Sequence, residues 1–183
     1  FTLFSECDWK TAFHQLKVDE LTAERLAITT PWGLYRPQFV PEGIACGSQL
    51  LMAAAQHIFE DFSDWLLAIH DNILVGAHDM DDMCNKLASL FKRCAEKKIQ
   101  LKLSKSTFAV AELKFFGIIL SSGRIRTDPA RVEQIQDIPM PKTKKQMQGF
   151  LGLMTYISPF VPNYEATTAK LFDMTKKDFI WER

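Results

Sequence analysis

The sequence is poor in the residues that mark several protein classes. Only 4 of its 183 residues are cysteine, at 7, 46, 84 and 94, with no CxxC pair, which excludes a disulfide scaffold. With 8 glycines and 8 prolines it is neither collagen-like nor low-complexity, and no internal repeat is visible. No apolar run approaches the roughly 20 residues that cross a bilayer, so no membrane partner is expected. The start, Phe1-Thr2-Leu3-Phe4-Ser5, lacks the basic opening of a secretory signal, and the chain reads as an excised fragment. Thiols this sparse behave as small apolar residues, and the expected setting is a reducing compartment, cytoplasmic or nuclear.

What is present is a core and a polarised charge. Hydrophobic residues make up 47% of the chain, enough for one good core or two small ones. The formal net charge of zero hides two unlike halves. Residues 1–91 hold 5 Lys and Arg against 13 Asp and Glu, a net of −8, and residues 92–183 carry the compensating +8. Such a split suits an acidic site beside a surface that meets polyanions, or two solvated faces with complementary fields.

Patterning predicts a mixed α+β chain, mostly an antiparallel sheet with helices, followed by a small helical end. Strands are expected at the start of the chain up to Asp8, and as a pair, Arg25–Thr30 and Leu34–Val40, around Pro31-Trp32-Gly33. A hairpin is expected from Trp65–Ile69 and Ile73–Val75 around His70-Asp71-Asn72, and further strands around 99–103, 106–109 and 113–120. Apolar residues at 50, 51, 54, 55, 58, 59 and 62 give Ser48–Phe62 a helical stripe. Asp79–Lys97 repeats that signal, Asp128-Pro129 opens a helix to about Gln136, and Thr143 with Gln146 forms a capping box. Pro139 and Pro141 suggest a boundary near 138–142.

Two acidic positions stand out among apolar strand residues. Asp8 ends the first strand and Asp71 sits at the tip of a hairpin. Carboxylates projecting from adjacent strands suit Mg²⁺, which takes a few such oxygens and leaves room for water and phosphate. Turn geometry alone also favours polar residues at a tip.

Several motifs, in order, carry a family resemblance. Phe4-Ser5-Glu6-Cys7-Asp8-Trp9-Lys10-Thr11-Ala12-Phe13-His14-Gln15-Leu16 resembles Phe-Ser-x-x-Asp-Leu-Lys-Ser-Gly-Tyr-His-Gln-Ile, the first palm motif of LTR-retrotransposon reverse transcriptases of the Ty3/gypsy kind. Val40-Pro41-Glu42-Gly43-Ile44 stands where those enzymes have Met-Pro-Phe-Gly-Leu. Ala68-Ile69-His70-Asp71-Asn72-Ile73-Leu74-Val75 takes the place of Val-Tyr-x-Asp-Asp-Ile-Leu-Val. Lys105-Ser106-Thr107-Phe108 is similar to Lys-Cys-x-Phe, and Leu113-Lys114-Phe115-Phe116-Gly117 to the primer-grip segment. The likeness runs collinearly through Gly149–Tyr156 and Phe160–Tyr164.

The resemblance implies a polymerase palm with a remnant of the fingers over 1–138 and the start of a thumb or connection segment over 139–183. It implies that Asp8 and Asp71 bind Mg²⁺ for template-directed DNA synthesis. Phe13 would be the steric gate against a ribose 2′-hydroxyl, although by itself it reads as a core aromatic. Gln15 and Gly43 would line the nucleotide and template pocket. Lys105, otherwise one solvated lysine among many, would protonate pyrophosphate, and Phe115, Phe116 and Gly117 would support the primer. The implied partners are an RNA or DNA template-primer, dNTPs and the rest of a retroelement polyprotein, namely fingers, RNase H and integrase.

The departures matter as much. Asn72 replaces the second aspartate and Ile69 the tyrosine of the motif, Glu42 adds an anion, and Gly47-Ser48-Gln49 replaces Ala-Pro-Ala. An amide is a weak Mg²⁺ ligand, so the expected site is weakened. Two functions follow: a catalytically impaired reverse transcriptase fragment, or a non-catalytic nucleic-acid-binding or scaffold module of retroelement origin.

Overall fold

A computed structural model describes residues 1–176, 179 and 181, and the chain divides into two compact units. The first holds Phe1–Leu113 with Ser121–Gly123, and the second holds Lys114–Leu120 with Arg124–Arg183. The Pro139–Pro141 break lies inside the second unit.

In the first unit, β1 (Leu3–Asp8) leads to a 3-10 turn at Ala12–Gln15 and a short helix, α1 (Glu20–Arg25). A hairpin of β2 (Ile28–Thr30) and β3 (Gly33–Tyr35) follows, then α2 (Gly47–Ile58). The second hairpin, β4 (Leu66–Ile69) and β5 (Asn72–Ala77), precedes α3 (Met80–Lys97) and β6 (Thr107–Val110). Four strands form an antiparallel sheet in the order β4-β5-β1-β6. Strand alternation sends Cys7, Ile73, Val75 and Ala77 to one face, where they join Leu51 and Ala55 of α2 and Met83, Leu90 and Cys94 of α3 in one buried cluster. The antiparallel sheet backed by helices near 48–62 and 79–97 is thus the expected architecture.

The other face carries the next residues in each strand. Asp8 of β1 pairs with Asn72 of β5, and Asn72 with Ile69 of β4, so these three side chains form a row across the sheet. Glu6, two residues before Asp8, lies on the same face. Between Phe4 and Glu6 the β1–β6 register shifts, with Ala109 in the left-handed region at φ 53°. Its N–H donates to the buried Ser5 hydroxyl at 2.9 Å, so the irregularity leaves no orphan donor there.

A three-stranded sheet of β7 (Glu112–Phe115), β8 (Ile118–Ser121) and β9 (Arg124–Thr127) follows, most of it in the second unit. Three helices follow: α4 (Pro129–Gln136), α5 (Lys144–Ile157) and α6 (Tyr164–Asp173). Asp128 caps α4 through the Ala130 N–H, and Thr143 caps α5 through the Gln146 N–H at 3.2 Å. The Gln146 amide oxygen accepts from Lys142 N–H at 2.7 Å, one residue before the cap. The mostly helical end is as expected through Asp173, while residues 177, 178, 180, 182 and 183 lie outside the described residues.

Three local expectations need correction. Arg25 ends helix α1 rather than opening a strand, because Asp19 caps that helix by accepting from the Thr22 N–H at 2.7 Å. No strand forms over 99–103. Leu101 makes one bridge to Trp9, and Leu103–Lys105 is a 3-10 turn. The run 113–120 folds back on itself at Phe116 and Gly117, whose φ values of 47° and 76° are both left-handed, as a two-residue hairpin turn of the primed type requires.

Candidate active site

A pocket of about 400 Å³ opens at the end of the sheet, lined by Asp8, Trp9, Lys10, Thr11, Ala12, Phe13, Glu42, Asp71, Lys102 and Lys105. Three carboxylates and three lysines therefore line one pocket. Asp8 enters from the last position of β1, and its carboxylate is largely shielded, being 13% exposed. Asp71 enters from the two-residue turn between β4 and β5, which His70 closes at φ 53°. The two segments are clamped by the Trp9 N–H, which donates to the Asp71 carbonyl at 2.6 Å. Asp8 and Asp71 thus come from neighbouring strands into one pocket.

Glu6 reports the field they create. Its carboxyl is held above the usual range, first by burial and then by the negative charges of Asp8 and Asp71. Sequence reasoning missed Glu6. The available signal was its spacing of two from Asp8 on a strand. Asn72 stands opposite Asp8 on the sheet and brings a neutral amide where another carboxylate would have deepened the same field.

Lys105 reaches back across the pocket, with its Nζ 3.6 Å from Asp8 Oδ2. Its turn is tied to the residue it faces. The Lys102 N–H donates to the Asp8 carbonyl at 2.7 Å, and the Asp8 N–H donates to Ser106 Oγ at 3.3 Å. Lys10 and Lys102 were not picked out as pocket residues from the sequence, since isolated lysines carry no local signal.

Phe13 sits on the 3-10 turn after β1, lining the pocket and also packing against the core cluster. Gly47 makes room for its ring: a Cβ there would lie 3.3 Å from Phe13 Cε1 and 3.2 Å from Ile44 Cγ1. The departure Gly47-Ser48-Gln49 therefore has a packing consequence at the pocket. Gln15 is placed otherwise than as a lining residue. Its amide donates to the carbonyls of Lys10 and Gln100 and accepts from the Gln100 N–H at 2.8 Å, bracing the chain around the pocket. Gly43, beside the lining residue Glu42, has φ 87° and nothing within 4 Å of a Cβ position, so backbone conformation favours glycine there.

Phe115, Phe116 and Gly117 belong to the β7–β8 hairpin. Phe115 is buried and packs edge-on against Phe116 with ring centroids 4.8 Å apart. A Cβ on Gly117 would approach the Tyr156 hydroxyl at 3.4 Å, and the Gly117 carbonyl accepts from Asp128 N–H at 3.1 Å.

Among the described residues no group of three or more His, Cys, Asp or Glu side chains could hold a metal alone. Two carboxylates whose charges act together on Glu6 still fit Mg²⁺, which takes few protein oxygens and fills its octahedron from water and phosphate.

The chain is similar to parts of longer retroelement and viral polyproteins. It is 26% identical over 175 residues to the retrovirus-related Pol polyprotein from transposon 297 of Drosophila melanogaster, covering 95% of this chain and 16% of that protein. It is 26% identical over 181 residues to the enzymatic polyprotein of cauliflower mosaic virus (strain NY8153), covering 98% and 27%. It is 22% identical over 182 residues to the transposon Tf2-7 polyprotein of Schizosaccharomyces pombe, covering 99% and 14%. The chain thus spans about a quarter or less of these relatives. In fold it matches the foamy viral protease-reverse transcriptase in complex with double-stranded DNA, with TM-score 0.83 and 21% identity over 94% of this chain and 30% of that one. The same enzyme with an RNA/DNA hybrid matches with TM-score 0.80 and 21% identity, over 95% and 24%. The family description "Reverse transcriptase (RNA-dependent DNA polymerase)" matches residues 2–120, and the chain belongs to that family.

Proposed function

We propose that this chain is a piece of a retroelement polyprotein whose intact ancestor made DNA from dNTPs on a template by two-metal phosphoryl transfer, and that catalysis here is impaired. The observation that carries the reading is the pocket in which Asp8, Asp71, Lys105 and Phe13 meet. The family generally uses divalent metal ions, and Asp8 and Asp71 are the residues that would hold Mg²⁺ here. When bound, Mg²⁺ polarises the primer hydroxyl and neutralises charge on the triphosphate. Phe13 bounds the space beside the sugar, and Lys105 offers a proton to the leaving pyrophosphate. In the second unit, Phe115, Phe116 and Gly117 present a hairpin for the primer strand. Residues 1–138 serve as palm with a fingers remnant, and 139–183 as the start of the thumb or connection segment.

Impairment follows from Asn72. Each 1.4 kcal/mol added to a barrier costs about tenfold in rate, and a missing carboxylate beside Asp8 removes stabilisation where charge develops. A nucleic-acid-binding or scaffold role without catalysis is the second reading, favoured by the same Asn72 and by Ile69 in its row. The proposed partners are template-primer, dNTPs and the remaining polyprotein domains. The four free thiols suit a reducing compartment, cytoplasmic or nuclear.

Primer extension on an RNA template tests the reading. The 183-residue chain is expected to incorporate no dNTP above an Asp8→Asn control. Template-directed incorporation that exceeds the control would overturn the impairment.

A further inference from the structure

The charged residues that line the pocket balance formally, Asp8, Asp71 and Glu42 against Lys10, Lys102 and Lys105, with Glu6 beside them on the same sheet face. One side chain can therefore decide the sign of its field. Lys105 is the lysine placed to do so, because its ammonium lies 3.6 Å from Asp8 Oδ2. The pair is unequal. The Asp8 carboxylate is 13% exposed, whereas the Lys105 side chain is 59% exposed on a short turn. The base of that turn is fixed by the Lys102 N–H bond to the Asp8 carbonyl and the Asp8 N–H bond to Ser106 Oγ. A fixed anion thus faces a cation that can withdraw into water. Ion pairs with an exposed member are weak, and a divalent ion brings twice the charge to the same oxygen.

We infer that Lys105 is the resident counter-ion of Asp8 and competes with divalent cations there, so that this lysine sets the cation affinity of the pocket. The inference rests on the proposed cation-holding role of Asp8 and Asp71. Asn72 sharpens the competition. Opposite Asp8 on the sheet it contributes no charge, so no further carboxylate is added there beside Asp8, Asp71 and the neighbouring Glu6. On cation binding Lys105 swings out of contact with Asp8, which frees its ammonium for an anionic ligand in the same pocket.

Mn²⁺ binding to the 183-residue chain, read from loss of the free-ion electron paramagnetic resonance signal, tests this without any catalytic assay. Lys105→Gln is expected to bind Mn²⁺ about two- to fivefold tighter than the unchanged chain, as removal of a weak competing ion pair requires. Lys105→Arg, which keeps the charge, should stay near the unchanged affinity, and Lys102→Gln should tighten binding less than Lys105→Gln. Asp8→Asn should weaken binding in every background. If Lys105→Gln binds no tighter while Asp8→Asn still weakens binding, the competition is refuted and the metal role of Asp8 stands. Equal tightening by Lys102→Gln and Lys105→Gln would also refute it, by assigning the effect to the general field. If Asp8→Asn changes nothing, the metal reading fails, and this inference with it.

Discussion

Asp8 and Asn72 face each other across β1 and β5, so a carboxylate at position 72 would stand directly opposite Asp8. Replacing the amide by a carboxylate tests its importance. Asn72→Asp should tighten Mn²⁺ binding severalfold and destabilise the cation-free chain by about 0.5–1 kcal/mol, the cost of like charges directly opposed on a sheet. A calorimetric melt with and without Mn²⁺ reads both effects. An equally stable variant with unchanged affinity would mean that Asn72 does not share the field of Asp8. Glu6 supplies the pH test. Its folded carboxyl titrates above the unfolded value, so the folded state holds this proton more tightly. Ionised Glu6 therefore costs stability, and this cost appears as pH rises through the window from its ordinary value to its raised one. Glu6→Gln should accordingly raise the melting temperature at pH 7, with the advantage fading as pH falls from the raised value towards about 4.5 and absent below it. An advantage that grows on acidification would contradict the assigned cause. At this scale the sequence showed Asp8, Asp71 and Phe13 because motifs mark them. Glu6, Lys10 and Lys102 were hidden, since their part depends on strand pairing and on the course of the 103–105 turn.

Elements were legible where a local signal coincided with burial. Helix α3 buries Met83, Leu90 and Cys94 on one stripe and starts at Asp79, whose side chain accepts from Asp82 N–H at 2.8 Å. Helices α4 and α5 carry equally plain caps. Helix α1 was missed because it buries no residue, so no apolar period marks it. The strand expected at 99–103 failed for the opposite reason: its apolar residues Ile99 and Leu101 both pack against the core cluster, but the backbone makes only the single bridge of Leu101 to Trp9. The cap of α5 allows a direct test. Thr143→Ala should cost about 1 kcal/mol and should speed amide exchange over Lys144–Met147 before it affects the rest of the unit. Unchanged exchange in that first turn would show that the Thr143 hydroxyl does not secure the helix.

The whole molecule carries its charge unevenly, and the structure refines which basic groups are available. Lys114 is engaged by Asp128, which also caps α4 and whose carboxyl is held below the usual range chiefly by that lysine. Lys142, Lys144 and Lys145 are grouped at the start of α5, where the helix N-terminus adds positive field of its own. The acidic first half disfavours indiscriminate binding to polyanions, so only a few phosphates should be engaged. Binding of an RNA–DNA hybrid at low and moderate salt is the most direct measure of the central proposal, that a nucleic-acid-binding surface persists while catalysis is impaired. Weak binding that falls steeply with salt is expected, with log affinity dropping by about 0.9 per phosphate neutralised for each tenfold rise in salt on duplex, and a shallower slope after charge reversal at Lys142, Lys144 and Lys145. No binding at low salt, or binding indifferent to salt and to those reversals, would contradict it.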